Sequence, residues 1–196
     1  MNAIANRLCP DAITMIRFDH THVVATFHQY RKYSAPRVKE GLVKTVCTAL
    51  EVHAQLEEEI FYPAVRAVTQ DEAIRKSVPE HDEMRRVIAR LRAMAPTDAG
   101  YDETFMELMR DVLHHVADEE TVVLPEAERL LGDRLDELGA EMTRRRIELV
   151  VPRTGEIALN LARAMPMATT VAVGLALVSG AALATWYGGQ KMKRLD

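Results

Sequence analysis

Apolar residues recur every three or four positions through four segments of this 196-residue chain. That spacing gives a helix one continuous apolar face, which it buries against another element. Short breaks containing Pro, Gly or small polar residues separate the segments, and short connections favour antiparallel neighbours. Pro63 and Pro125 fall inside the pattern and should kink or end their helices. The pattern predicts an all-α protein, an up-and-down antiparallel four-helix bundle with helices at roughly residues 11–34, 37–68, 72–94 and 101–130.

The pattern changes after the fourth segment. Residues 133–163 are rich in charge and predict a helical extension that leads away from the bundle, whereas residues 164–187 carry no charged side chain. An uncharged stretch of that length can cross a bilayer as a helix. The chain is thus predicted to consist of a bundle at 1–132, a charged helical linker at 133–163, a C-terminal transmembrane helix at 164–188 and a basic tail at 189–196.

Two further features bear on location and partners. Small residues recur at every fourth position from Ala172 to Gly188, a pattern that lets membrane helices approach closely. We therefore expect this helix to pair with another copy of the chain or with a membrane protein. The N-terminus has no apolar run long enough for a signal peptide, which predicts a cytoplasmic domain anchored to the inner, cytoplasmic membrane. The alternative is an apolar helix buried inside a soluble oligomer.

Composition narrows the function classes. The formal net charge of −4 gives no support for nucleic-acid binding, which depends on clustered positive charge. Cys9 and Cys47 lack any close pair spacing, so neither a disulfide framework nor a CxxC metal site is expected. Metal chemistry, if present, must come from other side chains.

Chemically active side chains occur in two matched copies, 61 to 62 positions apart. Each copy has one histidine in an earlier helical segment and a His-xxx-Glu pair in the next. Residues four apart share a helix face, and apolar neighbours on these faces direct the polar side chains toward the core. The six residues are His20, His53, Glu57, His81, His115 and Glu119.

Buried carboxylates and imidazoles need partners, and one or two cations would satisfy all six together. Imidazole with carboxylate suits iron better than calcium or magnesium, which prefer all-oxygen ligands. A single residue of this kind is more often a hydrogen-bonded core histidine or a solvated glutamate. Six of them in two matching copies favour a metal site.

The order of these motifs, with the phrases EEEIFYP and HHVADEE, resembles the hemerythrin-like, HHE cation-binding family over about residues 11–130. The resemblance implies a four-helix bundle holding a non-haem di-iron centre, in which two carboxylates bridge two iron ions. It implies that Glu57 and Glu119 are the bridges and that His20, His53, His81 and His115 are terminal ligands. Members of this family bind oxygen, sense oxygen, iron or nitric oxide, or act on peroxide.

One position departs from the oxygen-carrying members of the family. Those proteins have another histidine one helical turn before the ligand of the third helix, where this chain has Ser77. Two histidines for each iron would leave open coordination positions on both metals. The departure favours redox or sensing chemistry over reversible oxygen carriage.

Three functions stay open at this point. The chain could bind or sense O2, NO or iron; it could be a di-iron enzyme that decomposes peroxide or reduces nitric oxide; or it could store or deliver iron. The expected partner of the centre is a small diatomic ligand or peroxide. No catalytic residue is identified, because metal ligands define a site and not its turnover.

Several polar residues near the motifs are expected to lie outside the ligand set. Glu58 and Glu120 flank the bridging positions and are interpreted as solvated charges, with ligand substitution as the alternative. Tyr30 and Tyr62 could line the pocket, although ordinary packing is favoured. Helical phase turns three other histidines away from the core: His22, His28 and His114.

Overall fold

The computed structural model describes residues 9–70 and 72–165, and every regular element within those ranges is helical. α1 packs along α2, α4 packs along α5, and α2 also contacts α4. The predicted all-helical bundle is confirmed. In chain order the helices are α1 (Ala12–Phe27), α2 (Pro36–Leu56), α3 (Tyr62–Arg66), α4 (Glu72–Ala93), α5 (Tyr101–Asp118), α6 (Leu124–Leu131), α7 (Leu135–Val150) and α8 (Thr154–Ala164).

Local chemistry explains where the first two helices begin. The Asp11 carboxylate accepts a hydrogen bond from the backbone N–H of Thr14 at 2.9 Å, which satisfies a donor that the first turn of α1 leaves free. Pro36 is the first residue of α2, a position where its missing N–H costs nothing. Both starts agree with the sequence pattern.

π-helical turns precede Pro63 and Pro125, whereas Pro79 lies inside α4 without one. A proline has no N–H to donate, and its ring clashes with the carbonyl four residues earlier. α2 passes into a π turn at Glu57–Phe61 just before Pro63, and α5 passes into one at Glu119–Val123 just before Pro125. Each π turn begins at a glutamate of the predicted ligand set.

Two apolar clusters form the core, and the polar residues of interest lie between them. One cluster contains Ile16, Leu56 and Phe61, and the other contains Val23 and Leu50. His20 follows Ile16 and precedes Val23 along α1, while His53 lies between Leu50 and Leu56 along α2. The bundle thus encloses a polar layer between two apolar layers.

The segment after the fourth long helix returns to the bundle. α7 packs against α1 and α2, and α8 lies along α2, so residues expected to lead away instead cover one side of the helices. Gly139 on α7 permits the closest approach, because a Cβ built there would lie 2.3 Å from the carbonyl oxygen of Pro10. The division of the chain into domains at residue 132 stays a prediction.

Gly139→Ala is expected to destabilise the protein by about 1–3 kcal/mol, because the added methyl meets backbone atoms that cannot rotate away. Thermal denaturation of both variants provides the measurement. Gly155→Ala in α8 is the matched control, since a Cβ there meets nothing within 4 Å. Equal melting temperatures for the two variants would show that α7 does not pack as described.

The predicted membrane-spanning helix has to be corrected. Among the helices within residues 9–70 and 72–165, none is long and apolar enough to cross a membrane. Apart from Ala164 and Met165, the predicted span at 164–188 lies outside the described residues. The prediction was based on length and lack of charge in a stretch rich in Ala, Gly and Thr, which is only moderately apolar. Membrane anchoring, and the location inferred from it, are withdrawn.

Candidate metal centre

The bundle buries all six residues of the predicted ligand set. Glu57 and Glu119 have no exposed surface, and the four histidines are each at most 5% exposed. Burial of this extent is rare for glutamate unless the carboxylate is paired or coordinates a metal. The helical phase that directs them inward comes from the apolar residues on the same faces, so the packing of the bundle itself assembles the cluster.

Each buried carboxylate lies between two imidazoles from different helices. Glu57 Oε2 is 3.2 Å from His53 Nε2 and 3.4 Å from His81 Nε2. Glu119 Oε2 is 3.2 Å from Nε2 of His20 and 3.4 Å from Nε2 of His115. Each glutamate is therefore shared between the two halves of the cluster.

The potential ligand atoms fall into two overlapping groups. His20 and His53 group with both glutamates, while His81 and His115 group with Glu57, and within each group the atoms lie within 4.8 Å of one another. The rings form two close pairs, with centroids 5.0 Å apart for His20 and His53 and 4.6 Å apart for His81 and His115. The geometry offers two positions for a cation, with carboxylate oxygen and imidazole nitrogen at each.

A second layer of carboxylates orients the four imidazoles. Nδ1 of every histidine in the cluster faces an acidic side chain, so each ring carries its proton on Nδ1 and turns Nε2 inward. The pairs are His20 with Glu120 at 2.9 Å, His53 with Asp19 at 3.4 Å, His81 with Glu58 at 2.8 Å, and His115 with Glu80 at 2.8 Å. This tautomer is the one that a metal bound at Nε2 requires.

The outer carboxylates were missed as a group by reasoning from the sequence. Glu58 and Glu120 were interpreted as solvated charges, yet they are half-buried and hydrogen-bonded to His81 and His20. A usable signal was present, because the repeat places an acidic residue directly before His20 and His81 and directly after Glu57 and Glu119. The repeated acidic positions mark the second layer.

Arginines hold three of these outer carboxylates. Glu120 pairs with Arg17 at 3.1 Å, and Glu58 pairs with Arg85 at 2.6 Å. The Asp19 carboxylate accepts hydrogen bonds from both terminal nitrogens of Arg146, and the Nη1–Oδ1 distance is 2.7 Å. Burial would raise the pKa of Asp19, but hydrogen bonds from His53 and Arg146 outweigh it and lower the pKa to about 2. Asp19 is therefore charged at neutral pH.

Tyr62 lies against both buried glutamates. Its hydroxyl is 2.7 Å from Glu119 Oε1 and 3.2 Å from Glu57 Oε2, and it also interacts with Ser77. Burial and the two carboxylates raise the pKa of Tyr62 far above its usual value, so the phenol keeps its proton and can donate it in a hydrogen bond. Tyr30 does not reach the cluster and binds Asp102 instead. Of the two tyrosines considered, Tyr62 lines the site.

The buried carboxylates of the cluster shift the protonation of its acids and imidazoles. Burial and the nearby Glu119 carboxylate raise the pKa of Glu57 well above its usual value, so this acid holds a proton. Burial would lower the pKa of His115, but Glu119 and Glu80 outweigh it and raise the pKa to about 10. Burial lowers the pKa of His53 to about 4. Protons on Glu57 and His115 occupy places that a cation would take.

Several buried polar atoms in the cluster have no aligned hydrogen-bond partner: His20 Nε2, His53 Nε2, Glu57 Oε1 and Glu119 Oε2. His81 and His115 bring their Nε2 atoms within 3.0 Å of each other, a contact in which the protonated His115 donates to His81. Unpartnered buried polar atoms are costly, and all of these belong to groups that ligate metals. The donor set fits a metal and suits iron among the common choices.

The remaining histidines lie outside the cluster, as the helical phase predicts. His22, His28 and His114 are exposed, and none belongs to a group of side chains that could hold a metal within the part of the chain the structure describes. Of the two adjacent histidines, His114 therefore lies on the surface and His115 lies in the core.

Comparison with known proteins identifies the family. The model of the hemerythrin HHE cation binding domain matches residues 11–145, well over half of the chain. A solved hemerythrin HHE cation binding domain-containing protein from Mycobacterium kansasii shares the fold, with a TM-score of 0.64 and 18% identity, over 79% of this chain and 99% of that one.

A second relative matches a smaller part of this chain. A DNA nickase of Nostoc sp. (strain PCC 7120) is 27% identical over 109 residues, which is 56% of this chain and 31% of the relative. This chain thus spans less than a third of that protein. The family match and the buried His/Glu cluster agree, and the chain belongs to the hemerythrin HHE cation-binding family of metal-binding proteins.

Proposed function

We propose that the chain holds two iron ions, each bound by two histidines and both bridged by two glutamates. His20 and His53 would hold one ion, His81 and His115 the other, with Glu57 and Glu119 shared between them. The position of each carboxylate oxygen between one imidazole of each pair supports this assignment. Four neutral imidazoles and two carboxylates leave a net positive centre, which the outer carboxylates offset.

We propose further that the centre binds a small uncharged ligand such as O2 or NO, in a binding or sensing role. The observation that carries this proposal is an apolar cavity of about 20 Å³ beside the four histidines. Its volume is enough for about one water-sized molecule. The apolar lining includes Val23, Leu50, Met84, Ile88 and Val112.

The ligand count supports open positions at the metals. Ser77 stands where the oxygen carriers have a further histidine, and it interacts with Tyr62 instead. Bound iron would supply Lewis acidity and redox chemistry at the positions that no side chain fills. The protein would exclude water with the apolar lining and hold a proton at the Tyr62 hydroxyl, directed at Glu119.

DNA nicking, named for the Nostoc relative, is not part of the proposal. The match covers 31% of that protein. A formal net charge of −4 gives no electrostatic support for a phosphate backbone.

Optical titration of the iron-loaded protein with NO and with O2 tests this function, and peroxide is assayed alongside for turnover. The expected result is a spectral change that saturates without continued consumption of the ligand. Sustained consumption of peroxide or NO would mean that the protein is an enzyme and not a sensor. An enzyme is the second candidate function, and open metal positions favour it too. Glu57→Gln is the control, since it retains volume but removes a bridging charge. An unchanged spectrum with every ligand would overturn the proposal.

A further inference from the structure

One of the four imidazoles is linked to a helix outside the set that supplies the ligands. Arg146 lies on α7, directly after the last residue of the family match at 145. It donates from both terminal nitrogens to the Asp19 carboxylate, whose Oδ2 is 3.4 Å from His53 Nδ1. The result is a continuous chain of contacts from α7 through Asp19 to the cluster.

This link differs from the other three in burial and in the origin of its arginine. Asp19 is the most buried outer carboxylate, with 13% of its side chain exposed against 24% for Glu58, 31% for Glu120 and 36% for Glu80. Arg17 and Arg85 belong to α1 and α4, which themselves carry ligands. Within residues 9–70 and 72–165, no lysine or arginine pairs with Glu80. The outer carboxylates that bind the four imidazoles therefore differ in burial and in whether an arginine holds them.

We propose that Arg146 is a positioning residue for one of the two metals, acting through Asp19 on His53. This inference rests on the proposed two-iron centre. A bidentate arginine fixes both oxygens of a carboxylate, so Asp19 keeps one orientation. The Nδ1 hydrogen bond then fixes the tautomer and rotation of the His53 ring. Arg146 thereby sets the geometry of the position formed with His20, because its partner Asp19 faces His53, whereas His81 and His115 face Glu58 and Glu80.

The packing of α7 explains why Arg146 is close enough to bind Asp19. Gly139 brings α7 against the start of α1, two helical turns before Asp19. Arg146 Nε is buried, and both terminal nitrogens of the guanidinium donate to Asp19, which holds the group in place. A side chain held in this way gives up little further conformational freedom when the metal binds.

Anaerobic titration of the metal-free protein with Fe(II), in competition with a chromophoric chelator, tests this inference through two binding constants. Wild type is expected to show two steps. Arg146→Met should weaken one step by about tenfold, the lower end of the range for loss of a direct ligand partner because Asp19 remains, and leave the other within about twofold. Arg145→Met is the matched control. The same charge is lost from the same helix, but Arg145 pairs with Glu59 and Glu148, away from the cluster.

Two results would overturn the inference. One is an Arg146→Met titration equal to that of Arg145→Met, and the other is an equal loss at both steps. If Arg146→Met does not fold, Asp19→Asn carries the test, because it retains the shape of the side chain and must weaken the same single step. Asp19→Asn with both constants unchanged would also reject the link. A wild-type titration that saturates at one iron per chain would instead reject the two-iron proposal on which the inference rests.

Discussion

Replacing the three consecutive glutamates one at a time should give three different losses of iron affinity. Glu57→Ala is expected to weaken binding by more than about a hundredfold, because it removes a bridging oxygen donor from both metal positions. Glu58→Ala should cost about 10- to 100-fold, since Glu58 orients His81 through Nδ1. Glu59→Ala should change little, because Glu59 is exposed and pairs with Arg145. Equilibrium competition with a chelator measures all three.

The second copy of the motif provides an independent repeat of this series. Glu119→Ala should behave like Glu57→Ala, and Glu120→Ala like Glu58→Ala, since Glu120 orients His20. Helical content by circular dichroism controls for unfolding. Equal losses from the inner and outer glutamates would mean that the helical phase assigned to the π turns is wrong.

Iron is expected to raise the melting temperature by about 8–16 °C at a free concentration 1,000 times the dissociation constant. A ligand that binds only the folded state contributes about 4 kcal/mol at that ratio, and each kcal/mol shifts a chain of this size by about 2–4 °C. The physical reason is that metal replaces the buried protons and pairs the unpartnered nitrogen and oxygen atoms of the cluster. Differential scanning calorimetry under nitrogen measures the shift.

The stabilisation should shrink as the pH is lowered through the neutral range. The pKa of His115 is raised to about 10 in the metal-free protein, so below that pH iron must displace its proton, and a higher proton activity opposes binding. Glu57→Gln serves as the control and should show little shift with iron. A wild-type shift below about 2 °C at saturating iron would indicate that the cluster is a structural hydrogen-bond network.

The sequence was sufficient to predict the bundle and to bring the inner residues together. Apolar residues at three- and four-residue spacing determine which helix face is buried, and His53 with Glu57 shares that face. The acidic residues of the second layer were harder to assign, because a half-buried Glu58 and an exposed Glu59 follow one another in the same charged run. Only the tertiary position of the neighbouring helix distinguishes them.

The packing of the C-terminal helices could not be inferred in the same way. The charged pattern of residues 133–149 is compatible with a solvated helix or a packing helix, and Arg146 forms a pair with a side chain of another helix. Local sequence gives no distance between residues 19 and 146. The membrane helix predicted at 164–188 is withdrawn because no helix in the described part of the chain is long and apolar enough to cross a bilayer.

Metal analysis tests the central claim most directly. The chain should be loaded with iron anaerobically, freed of excess metal by gel filtration, and analysed for metal and protein by mass spectrometry and amino-acid analysis. Two iron atoms per chain are expected, because each buried carboxylate lies between imidazoles of both histidine pairs. One metal per chain at saturation, or a clear preference for zinc over iron in cells, would contradict the di-iron assignment.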